Sequence, residues 1–390
     1  MAGSDVPGSA PKPLQGVRVL DLGEQLPGPY AALILSDLGA EVIKVERPGG
    51  DMVRTTFPGL FRITNRDKKS VCVDLKSEAG LAALLDLVET ADVLIEGFRP
   101  GVADRLGIGH AALAQRNGGL IYVSMSGYGQ SGPYRDLPGH DINYMAVSGA
   151  LSLCGTPDGA PAYAVAFPIA DVSASMSAVI SVLAALRSRD ATGKGQFIDI
   201  AIADCLLPMV AARFGMMQQA GALSRRDILD RPGNGVYATA DGKQIALGAV
   251  EDHFWRALVG ALDMPELAEG PYQRFTERLK HTGFLQERLS AAIAQRSLDE
   301  LLRIFAGRDI PAALVSELGD LRGHPQLQAR NLFADAGGFT YLRFPGLPQL
   351  DHAVPGEPPA LGQHTEEILG AARAGKAARR RISGSGRKEQ

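Results

Sequence analysis

Three ionisable residues sit where acid–base or nucleophilic chemistry could be done. His140 lies in the polar turn Pro138-Gly139-His140-Asp141-Ile142-Asn143-Tyr144, after an apolar strand read at Leu120–Ser124. In an α/β fold that places it near the carboxyl edge of the sheet, where ligands bind. Asp171 stands directly before a long apolar helical stretch. A carboxylate at such a helix mouth shares its surroundings with free amides that can stabilise a developing oxyanion. Glu251 follows the apolar run Ile245–Val250 and precedes a helix beginning near His253. Each also has a plainer use: a hydrogen-bonded surface histidine, an N-cap aspartate and a helix-start acid. Arg47, Arg99 and Arg105 follow strand ends or their loops, where a guanidinium suits phosphate and the loop glycines let backbone approach a ligand. Solvated surface is the plain alternative for all three. A phosphate-binding set, an apolar pocket and a His/Asp/Glu trio would together suit a phosphorylated thioester, a conclusion that composition alone does not reach.

Other sites fail on their spacing. A dinucleotide fingerprint needs G-x-G-x-x-G after the first strand, whereas the turn here is Gly23-Glu24-Gln25-Leu26-Pro27-Gly28-Pro29. Its two prolines remove amides from where a pyrophosphate needs them. Gly193-Lys194-Gly195 lacks the earlier glycine and the following hydroxyl of a P-loop: Ser188 and Gly195 hold those places. HExxH, GxSxG and clustered Cys/His patterns do not occur, so no metal site is expected.

The elements that would carry the three residues alternate strand and helix. Val17–Leu22 reads as a strand, Tyr30–Leu38 as a helix opened by Pro29, and Glu41–Arg47 as a second strand. Val71–Leu75, Val93–Glu96 and Leu120–Ser124 continue the series, with a helix at Ala79–Thr90. This predicts a doubly wound α/β domain with a parallel sheet. Asp171 is expected to cap a helix over Val172–Arg187, and Gln196–Cys205 reads as a strand running into a helix. The sequence Gly235–Val250 alternates on both sides of Asp241-Gly242, a hairpin signature, and one helical segment from His253 to about Phe305 would complete a smaller α+β unit closed by a strand at Ile310–Val315.

Composition fits this picture. The chain has 390 residues, 45% hydrophobic and 21% charged, with formal net charge −3, so the protein as a whole is no polyanion binder. Cys72, Cys154 and Cys205 are few, odd in number and far apart, which favours a reducing cytoplasm over a disulfide framework. Met1–Pro13 reads as a flexible leader without the apolar core of a signal peptide. Val172–Leu186, a 15-residue uncharged run, is shorter than the roughly 20 residues a bilayer needs, so no membrane span is expected. The basic stretch 371–390 reads as a frayed, solvated tail rather than a nucleic-acid arm.

Several segments, taken in order, resemble the family III CoA-transferases, and in particular their α-methylacyl-CoA racemase branch. They are LSDLGAEVIKVERPGGD from Leu35, VDLKSEAG from Val73, IEGFRPGVADRLG from Ile95, SGYGQSGPY from Ser126, GHDINY from Gly139, TGKGQFIDIAIAD from Thr192 and LGQHTEEIL from Leu361. The resemblance implies an interlocked homodimer whose large α/β domain is built from both chain ends around an inserted small α+β domain. On this sequence that would be a large CoA-binding domain over 14–212, a linker over 213–232, a small domain over 233–320, a return to the large domain over 321–370 and a basic flexible tail over 371–390. CoA would be lined by Arg47, by Val73, Asp74, Leu75 and Lys76, by Gly97, Phe98, Arg99, Pro100, Gly101 and Val102, by Arg105, and by Gly139, Asp141, Ile142, Asn143 and Tyr144. No cofactor beyond the CoA of the substrate is implied, and neither nucleic acid nor membrane is an expected partner.

The racemase branch implies that His140 and Asp171 exchange an α-proton across an enolate of a 2-methylacyl-CoA, with Glu251 tuning His140. The alternative within the family is CoA transfer, where the matched Asp171 is a nucleophile carrying an anhydride and then a CoA thioester. Gly248-Ala249-Val250-Glu251 stands where transferases have a glycine-rich loop, and together with His140 it makes the racemase the expected activity.

Overall fold

A computed structural model describes residues 12–163, 165–222, 224–345 and 355–385, with side chains described up to position 375. Most of the expected leader therefore lies outside the described residues. The chain forms two compact units. The first comprises 1–150, 165–210 and 326–390, so both chain ends contribute to it; the second comprises 151–164 and 211–325.

The first unit is doubly wound α/β. Six parallel strands, β1 (Arg18–Leu22), β2 (Glu41–Glu46), β3 (Lys69–Cys72), β4 (Val93–Glu96), β5 (Ile121–Ser126) and β6 (Gln196–Ala201), run in the order β3-β2-β1-β4-β5-β6. β1, β2, β4 and β5 are buried along nearly their whole length, as strands covered on both faces must be. The chain starts at the centre of the sheet, winds outward through β2 and β3, then returns to place β4 on the other side of β1. Leu22 and Glu96 are register partners at the carboxyl ends of β1 and β4, so the loops that follow them flank the switch point of the sheet. Between strands lie α1 (Pro27–Asp37), α2 (Glu78–Val88), α3 (Val102–Arg105), α4 (Asp141–Val147) and α5 (Ile169–Thr192).

Boundaries differ from expectation where side chains compete for the backbone. β3 ends at Cys72 rather than Leu75, because Asp74 folds the chain into a turn, its carbonyl taking the Ser77 amide at 3.0 Å and its Oδ1 the Lys76 amide at 3.0 Å. α5 is 24 residues long, not 16, and starts at Ile169, so Asp171 is in its first turn rather than at its cap. With mean hydropathy 1.9 it is apolar and long enough to cross a membrane, yet half of that apolar window is buried, and the helix packs on α1, β5 and β6. The C-terminal stretch is not frayed over its described part: Thr365–Ser385 is helical, with Glu366 and Glu367 at its positive N-terminal end. Ile368, Leu369 and Ala372 join the core around Leu84, Leu87 and Leu94, and Thr365 Oγ1 accepts the Cys72 amide at 3.0 Å.

The second unit contains an antiparallel sheet, β7 (Asn234–Ala238), β8 (Gln244–Gly248) and β9 (Ala312–Leu314), with the turn at Asp241-Gly242 closed by Thr239 N–H to the Lys243 carbonyl at 3.0 Å. Residues 213–232 are not an irregular linker: α6 (Leu207–Ala220) runs from one unit into the other, and α7 (Arg225–Leu229) follows, capped by Ser224. Nor is 253–305 one helical segment. α8 (Asp252–Ala261) ends where Asp263 turns left-handed at φ 59° before Pro265, and separate helices follow around buried Trp255, Leu258, Leu285 and Leu289.

Candidate active site

Three loops at the carboxyl edge of the sheet enclose two neighbouring cavities. The first, about 250 Å³, opens over the ends of β1, β2 and β3. Of the residues expected to line CoA, it takes Arg47, Val73, Asp74, Leu75, Lys76, Phe98 and Val102. Its lining is mostly apolar, with Arg47 exposed at the mouth and its Nε 3.1 Å from Glu24. The second cavity, about 490 Å³, lies over β4 and β5 and takes Gly97, Phe98, Arg99, Pro100, Gly139, His140, Asn143 and Tyr144. Phe98 lines both, so its ring stands on the boundary between them.

Gly101 and Arg105 line neither cavity. Gly101 is the left-handed N-cap of α3 (φ 77°), and a Cβ there would lie 3.5 Å from the Arg105 and 3.6 Å from the Arg135 guanidinium. Arg99, Pro100 and Gly101 also border a third crevice of about 250 Å³ with buried Glu96. Burial pushes the Glu96 carboxyl up to about 7, although its Oε2 accepts the Phe98 amide at 2.7 Å. Ile142 is exposed on α4.

Asp141 corrects the reading of its own position. It is buried, and its Oδ1 accepts the amides of Ala170 at 2.7 Å and Asp171 at 3.1 Å. It thus supplies the cap that Asp171 was expected to provide, and it ties the start of α4 to the start of α5. His140, the N-cap of α4, is exposed to the second cavity and hydrogen-bonded through its backbone N–H to Asn143 Oδ1 at 3.0 Å. One carboxylate therefore holds the His140 turn and Asp171 together.

The Asp171 carboxyl is pushed up to about 7, first by burial and then by the charge of Asp141. Among the described residues nothing donates a hydrogen bond to it. Its field is felt by Tyr144, whose hydroxyl, raised to about 12 by burial and then by Asp171, donates to the Gly139 carbonyl at 2.6 Å. Ser175 Oγ, one turn along α5, donates to the carbonyls of Asp171 at 2.9 Å and Pro27 at 2.8 Å, so the β1–α1 loop meets the same helix end. Glu251 belongs to the second unit, exposed at the N-cap of α8.

Sequence reasoning missed Gln25, which lines the second cavity in the left-handed conformation (φ 64°). It also missed the charges beneath it, Asp21, Lys44, Asp51 and Lys68, all nearly inaccessible. Their signal was present: Lys44 interrupts an otherwise buried strand, and Gly23 and Gly28 are compatible with a tight loop. A Cβ on Gly23 would fall 2.9 Å from the Cα of Gly28.

The family model for CoA-transferase family III matches residues 14–365. The chain is 34% identical over 379 residues to a succinyl-CoA–L-malate CoA-transferase alpha subunit of Chloroflexus aurantiacus, covering 92% of this chain and 88% of that one. It is 34% identical over 348 residues to the acetyl-CoA:oxalate CoA-transferase of Acetobacter aceti, covering 86% and 88%. The crystal structure of a CaiB/BaiF family protein from Brucella suis superimposes with a TM-score of 0.83 at 30% identity, covering 93% of this chain and 100% of that one.

Proposed function

The chain belongs to CoA-transferase family III, and from that premise we propose that it moves CoA from an acyl-CoA donor to a second carboxylic acid through a thioester formed on Asp171. The observation that carries this reading is a partly buried carboxylate in the first turn of α5 with no side-chain partner and a titration point lifted to about 7. A structural N-cap would have the opposite character, hydrogen-bonded and acidic. Desolvated and near neutrality, the carboxylate is matched to nucleophilic work.

In this scheme an Asp171 oxygen attacks the thioester carbonyl and CoA leaves as thiolate, forming a mixed anhydride. The thiolate then attacks the Asp171 carbonyl carbon, releasing the donor acid as its carboxylate and leaving an aspartyl-CoA thioester. The acceptor carboxylate repeats the two steps in reverse order, and Asp171 returns as a carboxylate with no net change in protons. Asp141 fixes the nucleophile by holding its amide. The Gln25 carboxamide and the Gly97 and Arg99 amides border the cavity that takes His140 and are the donors assigned to the oxyanion of each tetrahedral stage; Asp171 itself is tied to the wall of that cavity through Asp141 and the His140 turn. The acids in the relatives' names, succinate, malate and oxalate, support a small dicarboxylic acid as one substrate.

This reverses the expected order of the two activities. The relatives compared above are named CoA-transferases and not racemases, which favours transfer over epimerisation. One observation keeps α-proton exchange as the second reading: His140 lines the cavity over β4 and β5, on the turn that Asp141 ties to Asp171. The test is to turn the enzyme over with succinyl-CoA and trap with hydroxylamine or borohydride. A modified Asp171 peptide is expected, with CoA reaching malate or oxalate. Deuterium entering the α-position from D₂O with no adduct and no need for an acceptor acid would instead favour racemisation. The exposed apolar side chains of α6, Leu207, Met209 and Phe214, support the homodimer that the resemblance implies.

A further inference from the structure

The loop that carries Gln25 rests on two ion pairs for which the transfer chemistry has no use. Lys44 Nζ lies 3.1 Å from Asp51 Oδ2, and the two side chains are 1% and 0% exposed. From this pair both peptide groups flanking Glu24 are held. Lys44 Nζ donates to the Gly23 carbonyl at 2.9 Å, and the Gln25 N–H is shared between the Asp51 oxygens at 3.3 and 3.2 Å. Lys68 and Asp21, 2.8 Å apart and both fully buried, hold the ends of the loop. Lys68 Nζ also donates to the Pro29 carbonyl at 2.8 Å, and Asp21 Oδ1 accepts the Gly23 amide at 2.9 Å.

We propose that Lys44 and Asp51 are positioning residues, whose buried ion pair forces Gln25 into its left-handed conformation and so aims it at the cavity that holds His140. An L-residue keeps φ near +64° only where its surroundings impose it, and here the imposing groups are the pair itself. A hydrophobic filling of the same volume would stabilise the fold as well or better. What it could not do is grip a carbonyl and an amide in opposite directions and set the path of the loop between them. The pair also borders the first cavity, through which a ligand-binding role would act, so the two roles must be separated experimentally.

The inference rests on the transfer reading only in taking Gln25 to face the reacting carbonyl. The test is a mutant cycle between Lys44→Met/Asp51→Asn, which removes both charges, and Gln25→Ala, scored by kcat and KM for the acyl-CoA. A displacement of about 1 Å in a positioned group costs on the order of 10²-fold, so each change alone should lower kcat to about that extent. The combined variant should fall no further, because Gln25 is the route by which the pair acts. Penalties that multiply, a wild-type kcat in the Lys44/Asp51 variant, or a raised KM with kcat intact would each overturn the proposal; a filling role in the core predicts the first of these. Should the double substitution fail to fold, Asp51→Asn alone, which keeps an oxygen for the Gln25 amide but removes the carboxylate charge opposite Lys44, takes its place in the same cycle. The wild-type adduct assay tests the transfer reading separately, and the cycle is run on whichever turnover the wild type shows, CoA transfer or α-hydrogen exchange.

Discussion

Replacing Asp171 by Asn should abolish CoA transfer and at the same time stabilise the protein at alkaline pH. The carboxyl titrates from 3.8 in the unfolded chain to about 7 in the fold. A folded-state value raised in this way means that the native protein binds the proton more tightly than the unfolded chain does. The contribution to stability is therefore complete below pH 4 and is lost as pH climbs to about 7. Two pH units, from 5 to 7, correspond to about 2.7 kcal/mol at 1.36 kcal/mol per unit. The side chain is only partly buried, and solvent screens part of this, so about 1–3 kcal/mol is expected. Asn has the same shape and no titration. The difference in stability between Asp171→Asn and wild type should therefore grow in favour of the variant by that amount between pH 5 and 8.5. For a body of some 250 residues this is about 2–6 °C in Tm. Thermal unfolding of both proteins across the pH range is the assay, and taking the difference cancels the titrating groups that do not interact with Asp171. A difference that stays constant from pH 5 to 8.5 would refute the raised carboxyl and with it the argument for a desolvated nucleophile.

Two further predictions test Asp141 and α6. Asp141→Asn keeps an oxygen for the Ala170 and Asp171 amides but removes the charge that helps hold the Asp171 proton. The acid limb of its kcat/KM profile should move to lower pH, by less than the full shift because burial is the larger cause, while the plateau above pH 8 changes far less; an unmoved limb would count against the coupling. Phe214→Glu places a charge on an apolar side chain 55% exposed on α6. If a second copy of the chain covers that helix, light scattering should register a smaller particle than for wild type, and equal masses for the two proteins would remove the support that α6 gives to a homodimer.

Some elements were legible because local chemistry alone decides them. Val93–Glu96 is a strand with the expected bounds: its apolar run pairs on the ladder, and it ends where the Glu96 carboxylate takes the Phe98 amide. Asp241-Gly242 makes its hairpin because Gly242 reaches φ 75° without strain. The Arg99 loop was readable at a strand end because glycine and proline interrupt the helical pattern. Other features were misread because the competing partner is far away in the chain. Asp171 looked like an N-cap, but the oxygen that takes those amides comes from Asp141, thirty residues earlier. The tail from 371 looked solvated, but its Ala372 joins Ile368 and Leu369 in a core built from residues some three hundred positions earlier. Lys44 and Lys68 drew no expectation, and their counter-ions, Asp51 and Asp21, meet them only in the fold.

By itself, the sequence determined the alternation of strands and helices in the first unit, the parallel α/β class and the family, because hydrophobic period, turn residues and ordered motifs are properties of neighbours along the chain. Only the tertiary structure decided which carboxylate caps α5, which one is left without a partner, and which charges are buried beneath Gln25. The reason is that desolvation and ion pairing depend on what surrounds a group in space, and a carboxyl that sits at 3.8 in water sits near 7 once burial and a neighbouring carboxylate act on it.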